Sequence, residues 1–160
     1  MCDYSLYALP NRLAEDGEQV VLYKFGTGSI GFASTLDAAS QKTVTCSRWD
    51  EFCADLKALL LPRSTACVPA VCMPPGTRLM LGDVPVRIQA EHSLRAGDTV
   101  TVTEITTQSY AYRDALFLPN GKCVLLQELP AGMEATVLST ALEPVEQREH
   151  AYAYVRRYAS

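Results

Sequence analysis

Tyr110 to Leu129 reads YAYRDALFLPNGKCVLLQEL, and this stretch decides the fold. Two apolar runs rich in aromatic and aliphatic residues, Tyr110 to Leu118 and Lys122 to Leu129, flank Pro119-Asn120-Gly121. A tight hairpin turn needs positive φ, which glycine adopts without steric cost, so Asn-Gly between two such runs predicts a β-hairpin. The same punctuation recurs on both sides. Arg78 to Leu81, Val86 to Ala90, Thr99 to Thr106 and Met133 to Ser139 are strand candidates, separated by Gly82-Asp83, Ala96-Gly97-Asp98 and Pro130-Ala131-Gly132. Short strands at regular spacing predict a small barrel or rolled sheet.

Nearer the start, Gln19 to Phe25 (QVVLYKF), Ser29 to Ser34 and Lys42 to Cys46 read as strands. Thr35 to Gln41 reads as a turn or a short helical piece. Trp49, Phe52, Cys53, Leu56, Leu59 and Leu60 recur at spacings of three and four, which puts them on one face of an amphipathic helix at about 48–61. Ser47 gives it an N-terminal cap, and Pro62 ends it. Residues 63–77 carry three prolines and read as an irregular connector, with Val68 to Met73 apolar enough to be buried. Pro144 opens an expected C-terminal helix, Val145 to Tyr158. No internal repeat is visible. The expectation is one domain, 1–160, of the α+β class and mainly β.

A hydrophobic content of 48% with 20% charged residues is that of an ordinary folded domain. The net charge of −4 argues against a nucleic-acid partner, which calls for a basic surface. No basic-then-apolar leader is present, and the longest apolar run, Leu59-Leu60-Leu61, is far short of the ~20 residues of a membrane span. These features predict a soluble cytoplasmic protein that binds a protein or small molecule. In a reducing cytosol its six cysteines are expected to be thiols.

Four groups of residues could carry chemistry. If the initiator Met1 is removed, Cys2 presents a thiol and a free α-amine. It could then act as a nucleophile with its own base, or as an N,S metal ligand. Cys67 and Cys72 lie in the irregular connector. With Cys2 and His92 they could form a thiolate-rich site for copper or zinc, although no CxxC spacing supports one. Gly26-Thr27-Gly28-Ser29-Ile30-Gly31 matches G-x-G-x-x-G after a strand. Gly26, Gly28 and Gly31 could cradle a pyrophosphate if a helix followed, but a plain strand–turn–strand reading fits the weak helical pattern better. Strict alternation along Tyr110 to Leu118 puts Asp114 on the apolar face. There it is either a buried acid or base at a cleft, or a bulge near Arg113 turns it to solvent; the bulge is the simpler reading.

The opening Met-Cys-Asp-Tyr-Ser-Leu, with Asn11-Arg12-Leu13, Thr27-Gly28-Ser29-Ile30-Gly31 and Tyr110 to Leu129, resembles a group of small uncharacterised bacterial proteins. The resemblance implies a bacterial source and no particular chemistry. The Met-Cys start alone is also similar to that of N-terminal-cysteine amidohydrolases, a resemblance that implies Cys2 as an acyl-transfer nucleophile. Those enzymes use a larger αββα sandwich, which the single clear internal helix does not match. The leading expectation is a small binding or accessory module. The alternatives are a thiolate metal or redox site on Cys2 with Cys67 and Cys72, and an amidohydrolase-like enzyme.

Overall fold

A computed structural model describes Leu6 and residues 9–42, 67–105 and 112–140. The helix expected at 48–61, the C-terminal helix and Cys2 lie outside these residues. The elements run β1 (Asn11–Leu13), β2 (Gln19–Lys24), β3 (Ile30–Ser34), α1 (Thr35–Lys42), β4 (Ala70–Cys72), β5 (Arg78–Leu81), α2 (Val86–His92), β6 (Thr99–Glu104), β7 (Asp114–Phe117), β8 (Cys123–Leu125) and β9 (Glu134–Ser139). A one-turn 3-10 helix at Leu126–Glu128 follows β8. The class is α+β, mainly β.

Seven strands form one antiparallel sheet in the order β3-β2-β9-β5-β6-β7-β8. The sheet is not closed into a barrel by its backbone ladder. Strands β1 and β4 make a separate parallel pair, with Leu13 opposite Cys72.

The core follows from period-two alternation. Val20 and Leu22 of β2, Leu79 and Leu81 of β5, Val100 and Val102 of β6, Leu116 of β7 and Ala135 and Val137 of β9 bury one face of the sheet together. Each fully buried Val or Leu side chain stabilises the fold by roughly 1.5–3 kcal/mol relative to exposure. A second, smaller cluster of Leu6, Phe25, Ala33, Val68 and Ala70 seats β4 beside β3.

A repeated turn organises the centre of the sheet. Gly17 donates its N–H to the Val137 carbonyl at 2.7 Å, and Val137 N–H returns a bond to the Glu18 carbonyl at 2.8 Å. At the other end of the same strand pair, Gly132 donates to Leu22 at 2.7 Å and Leu22 to Met133 at 2.8 Å. The β5–β6 pair copies this: Gly76 to Val102 and Val102 to Thr77, both at 2.8 Å, then Gly97 to Leu81 at 2.8 Å and Leu81 to Asp98 at 2.9 Å. In each case a glycine at positive φ stands beside the next residue opposite a single partner, which is the G1 bulge. An L side chain at that φ is strained, so each turn asks for glycine. The two strand pairs β2–β9 and β5–β6 are thus built alike. No repeat stood out in the sequence, yet Leu94-Arg95-Ala96-Gly97-Asp98-Thr99-Val100-Thr101-Val102 and Leu129-Pro130-Ala131-Gly132-Met133-Glu134-Ala135-Thr136-Val137 share Leu, Ala, Gly, Thr and Val in register.

Several other expectations need correction. Val86 to Ala90, read as strand from apolar residues two apart, is helical. Pro85 presets φ at −57° before it, Gln89 N–H bonds the Pro85 carbonyl at 3.0 Å, and only Ile88 is buried. The connector 63–77 contains strand β4, whose hydrogen bonds come from distant β1. Lys42 ends α1 and does not start a strand. The run Lys122 to Leu129 is strand only at Cys123–Leu125 before it tightens into the 3-10 turn. The Asn120-Gly121 hairpin is present, with Gly121 at φ +81° and Leu118 N–H bonded to the Lys122 carbonyl at 2.8 Å.

Candidate functional site

A cleft of ≈ 500 Å³ opens where β1, the β1–β2 turn and the start of α1 meet. Arg12, Glu15, Asp16, Glu18, Ser34, Thr35 and Leu36 are among its lining residues. Strand β1 supplies Arg12, whose guanidinium grips the Glu18 carboxylate with both terminal nitrogens, Nη1 to Oε2 at 3.0 Å and Nη2 to Oε1. Glu18 also accepts the Glu15 N–H at 3.1 Å. These hydrogen bonds, Arg12 first, hold the Glu18 carboxyl below its ordinary value, and the Glu18 contact holds the Arg12 guanidinium above its own.

The remaining cleft groups are fixed by their elements. Asp16 Oδ1 accepts both the backbone N–H and the hydroxyl of Thr140, at 2.7 and 2.9 Å, which ties the β1–β2 turn to the end of β9. Thr35 Oγ1 donates to the Gln19 carbonyl at 3.3 Å and pins the start of α1 to β2. Asp37 stands in the first turn of α1, where a carboxylate suits the helix dipole, and adds to the negative field on Arg12. Leu36 is 78% exposed at the rim. The cleft therefore combines one paired cation, a surplus of carboxylates and an apolar lip. A smaller groove of ≈ 270 Å³ lies between Pro85, Arg87, Ile88, Glu128, Leu129 and Pro130.

The residues singled out from sequence are scattered. Gly26 and Gly28 form the tip of the β2–β3 hairpin, and Gly31 sits within β3. Phe25 N–H bonds the Ser29 carbonyl and Gly28 N–H the Phe25 carbonyl, both at 2.9 Å. The loop thus leads into a strand, not into the N-terminus of a helix. A Cβ at Gly31 would meet Leu6 Cδ1 at 2.5 Å, so this glycine makes room for Leu6. His92 ends α2, and its carbonyl accepts Asn120 Nδ2 at 2.8 Å.

Cys67 is an exposed free thiol. Cys72, 8% exposed on β4, is disulfide-bonded, which corrects the expectation of reduced thiols and leaves no thiolate there for a metal. Cys123 is also a free thiol, and Cys2, Cys46 and Cys53 lie outside the described residues. Among the described residues no group of three or more His, Cys, Asp or Glu is placed to hold a metal ion.

Asp114 is buried at 8% exposure, against the expected bulge. The β6–β7 register runs unbroken from Thr101–Phe117 to Glu104–Asp114, so alternation carries Asp114 onto the same face as Leu116. Glu104 lies directly opposite, and its Oε1 is buried without a hydrogen-bond partner among the described residues.

No helix among the described residues is long and apolar enough to cross a membrane. No protein-family model matches the chain, and no curated protein or solved structure matches it.

Proposed function

We propose that the protein is a small binding module of a bacterial cytoplasm, and that its ligand occupies the Arg12–Glu18 cleft. The observation that supports this is the composition of the cleft. Arg12 and Glu18 neutralise one another, Asp16 is engaged by Thr140, and Glu15 and Asp37 leave a net negative field beside exposed Leu36. A ligand that fits carries a positive charge next to an apolar group, as a lysine-bearing protein segment does. Charge would select it and steer its approach, while Leu36 would supply the apolar contact.

The test is a chemical-shift titration of the isotope-labelled full chain with a short Lys-Leu peptide and with its Glu-Leu counterpart. Salt-sensitive shifts at Arg12 to Gln19 and Ser34 to Asp37 with the cationic peptide alone support the reading. Equal response to both peptides, or shifts centred elsewhere, overturn it.

A further inference from the structure

Strand β1 has one bonded flank and one open flank. Ala70 N–H bonds the Pro10 carbonyl at 2.8 Å, and Ala14 N–H bonds the Cys72 carbonyl at 3.0 Å. Bonding alternates along each strand of a parallel pair, so Arg12, midway between Pro10 and Ala14, also turns its N–H and C=O to β4. Asn11 and Leu13 then aim theirs the other way. Among the described residues, Asn11 N–H, Asn11 C=O and Leu13 N–H have no hydrogen-bond partner, while the Leu13 carbonyl accepts Arg12 Nη1 at 3.3 Å. All three residues of β1 are exposed, Leu13 by 67%. Proteins guard such flanks with proline, charge or a bulge, because a bare row of N–H and C=O groups invites another strand. Asn11 and Leu13 bring neither proline nor charge, and their register with β4 is unbroken.

The open flank borders the cleft. Arg12 Nη1 reaches both the Leu13 carbonyl and, at 3.0 Å, Glu18 Oε2. Glu15, Asp16 and Glu18 line the cleft and Asp37 adds to the field on Arg12, so one cation stands against four carboxylates. From this arrangement we infer that an extended, lysine-bearing segment of a partner protein adds to β1 as a further strand along Asn11–Leu13; the inference rests on the Arg12–Glu18 cleft being the binding site. The Asn11 N–H, Asn11 C=O and Leu13 N–H hold the segment in register. Its side chains alternate between two faces. Lysines on the Arg12 side meet the carboxylates, and apolar residues on the other side lie along Leu13. Main-chain pairing supplies the grip, and the alternate side chains supply the selection. A second copy of this chain fits less well, because two-fold pairing of β1 with β1 brings two acidic clefts together.

The test uses the isotope-labelled full chain and a hexapeptide of alternating Lys and Leu. Two further versions are N-methylated, one at every Lys and one at every Leu, and butylamine stands for the lysine side chain alone. At saturation the parent peptide should slow amide exchange at Asn11 and Leu13 about tenfold or more, with Ala14 and Ala70, already bonded, unchanged. Only one alternate set of peptide N–H groups faces β1. One methylated version should therefore bind about tenfold or more weakly, and the other like the parent. L13P removes an open donor and no β1–β4 bond, so it should weaken the parent peptide by a similar factor. Unchanged protection of Ala14 and Ala70 checks its fold, and the methylated peptides on the wild type decide the matter without it.

Equal binding by the two methylated versions overturns strand addition, as does unchanged exchange at Asn11 and Leu13. So does a peptide-free chain that is dimeric with these two amides already protected, since a second copy then fills the flank. The two readings fail separately. Salt-sensitive shifts at Arg12 to Gln19 with every peptide and butylamine alike keep the cleft and remove the strand. Protection of Asn11 and Leu13 by Lys-Leu and Glu-Leu peptides alike keeps the strand and removes the charge-selected ligand.

Discussion

The side-chain amide of Gln127 brackets the backbone of Ile30. Its Oε1 accepts the Ile30 N–H at 2.9 Å, and its Nε2 donates to the Ile30 carbonyl at 2.8 Å. Ile30 begins β3, one edge of the seven-stranded sheet, and Gln127 follows β8, the other edge. A single side chain thus makes the two bonds of a strand pair and holds the rolled sheet edge to edge.

Replacing Gln127 by leucine keeps the bulk and removes both bonds. Ile30 N–H and C=O then lose their partners in a partly buried setting, at about 1–3 kcal/mol for an orphaned group. Urea denaturation of Q127L should show a loss in this range. A loss below the error of the measurement would mean that the clamp is ornamental.

The Arg12–Glu18 pair should make stability depend on pH. The folded carboxyl titrates below its unfolded value, so its contribution is complete above an unfolded pKa of about 4.3 and is lost as pH falls through the folded value. The pair is partly exposed, which keeps the effect small. E18Q should lose about 0.5–1 kcal/mol at neutral pH and match the wild type in strongly acidic solution. Equal stability of the two proteins at neutral pH would contradict this.

Two glycine substitutions separate backbone strain from packing. Gly97 holds φ at +86°, and a methyl group added there would point into open space, so G97A should cost about 1–2 kcal/mol through the backbone alone. Gly26 also faces open space and has no such φ. G26A should be neutral or gain up to about 1 kcal/mol, because alanine restricts the unfolded chain. Thermal unfolding of both variants decides it, and a reversed order would refute the turn assignment.

The two free thiols among the described residues should differ in reactivity. Cys67 is exposed, whereas burial pushes the Cys123 thiol up from its ordinary value. A thiolate is the reactive form, so maleimide at mildly alkaline pH should label Cys67 well before Cys123. Mass spectrometry of a time course reads this directly.

Much of the sheet was legible because half-buried strands alternate and end at Gly- and Pro-rich turns. QVVLYK, SIGFAS, RLML and the Asn120-Gly121 hairpin all lie where that pattern puts them. Val86 to Ala90 misled, because Val, Ile and Ala two apart fit a strand and a short helix equally well, and Pro85 decided between them. Strand β4 was hidden because its partner β1 lies far back in the chain and supplies hydrogen bonds, not periodicity.

The candidate cleft was illegible for a related reason. Arg12, Glu18 and Thr35 look like an ordinary solvated surface until the topology brings them together. Asp114 was the reverse case: alternation placed it correctly, and the assumption that a buried acid is too costly led away from it.

Strand β9 lies between β2 and β5 and pairs with both, although it comes after every other described strand in the chain. On the ribosome, then, the two halves of the sheet emerge without the strand that joins them. Each waits with one open edge until Glu134–Ser139 leaves the exit tunnel. A message cut short before Glu134 yields a chain with two unmated edges, each a template for pairing with a neighbouring chain.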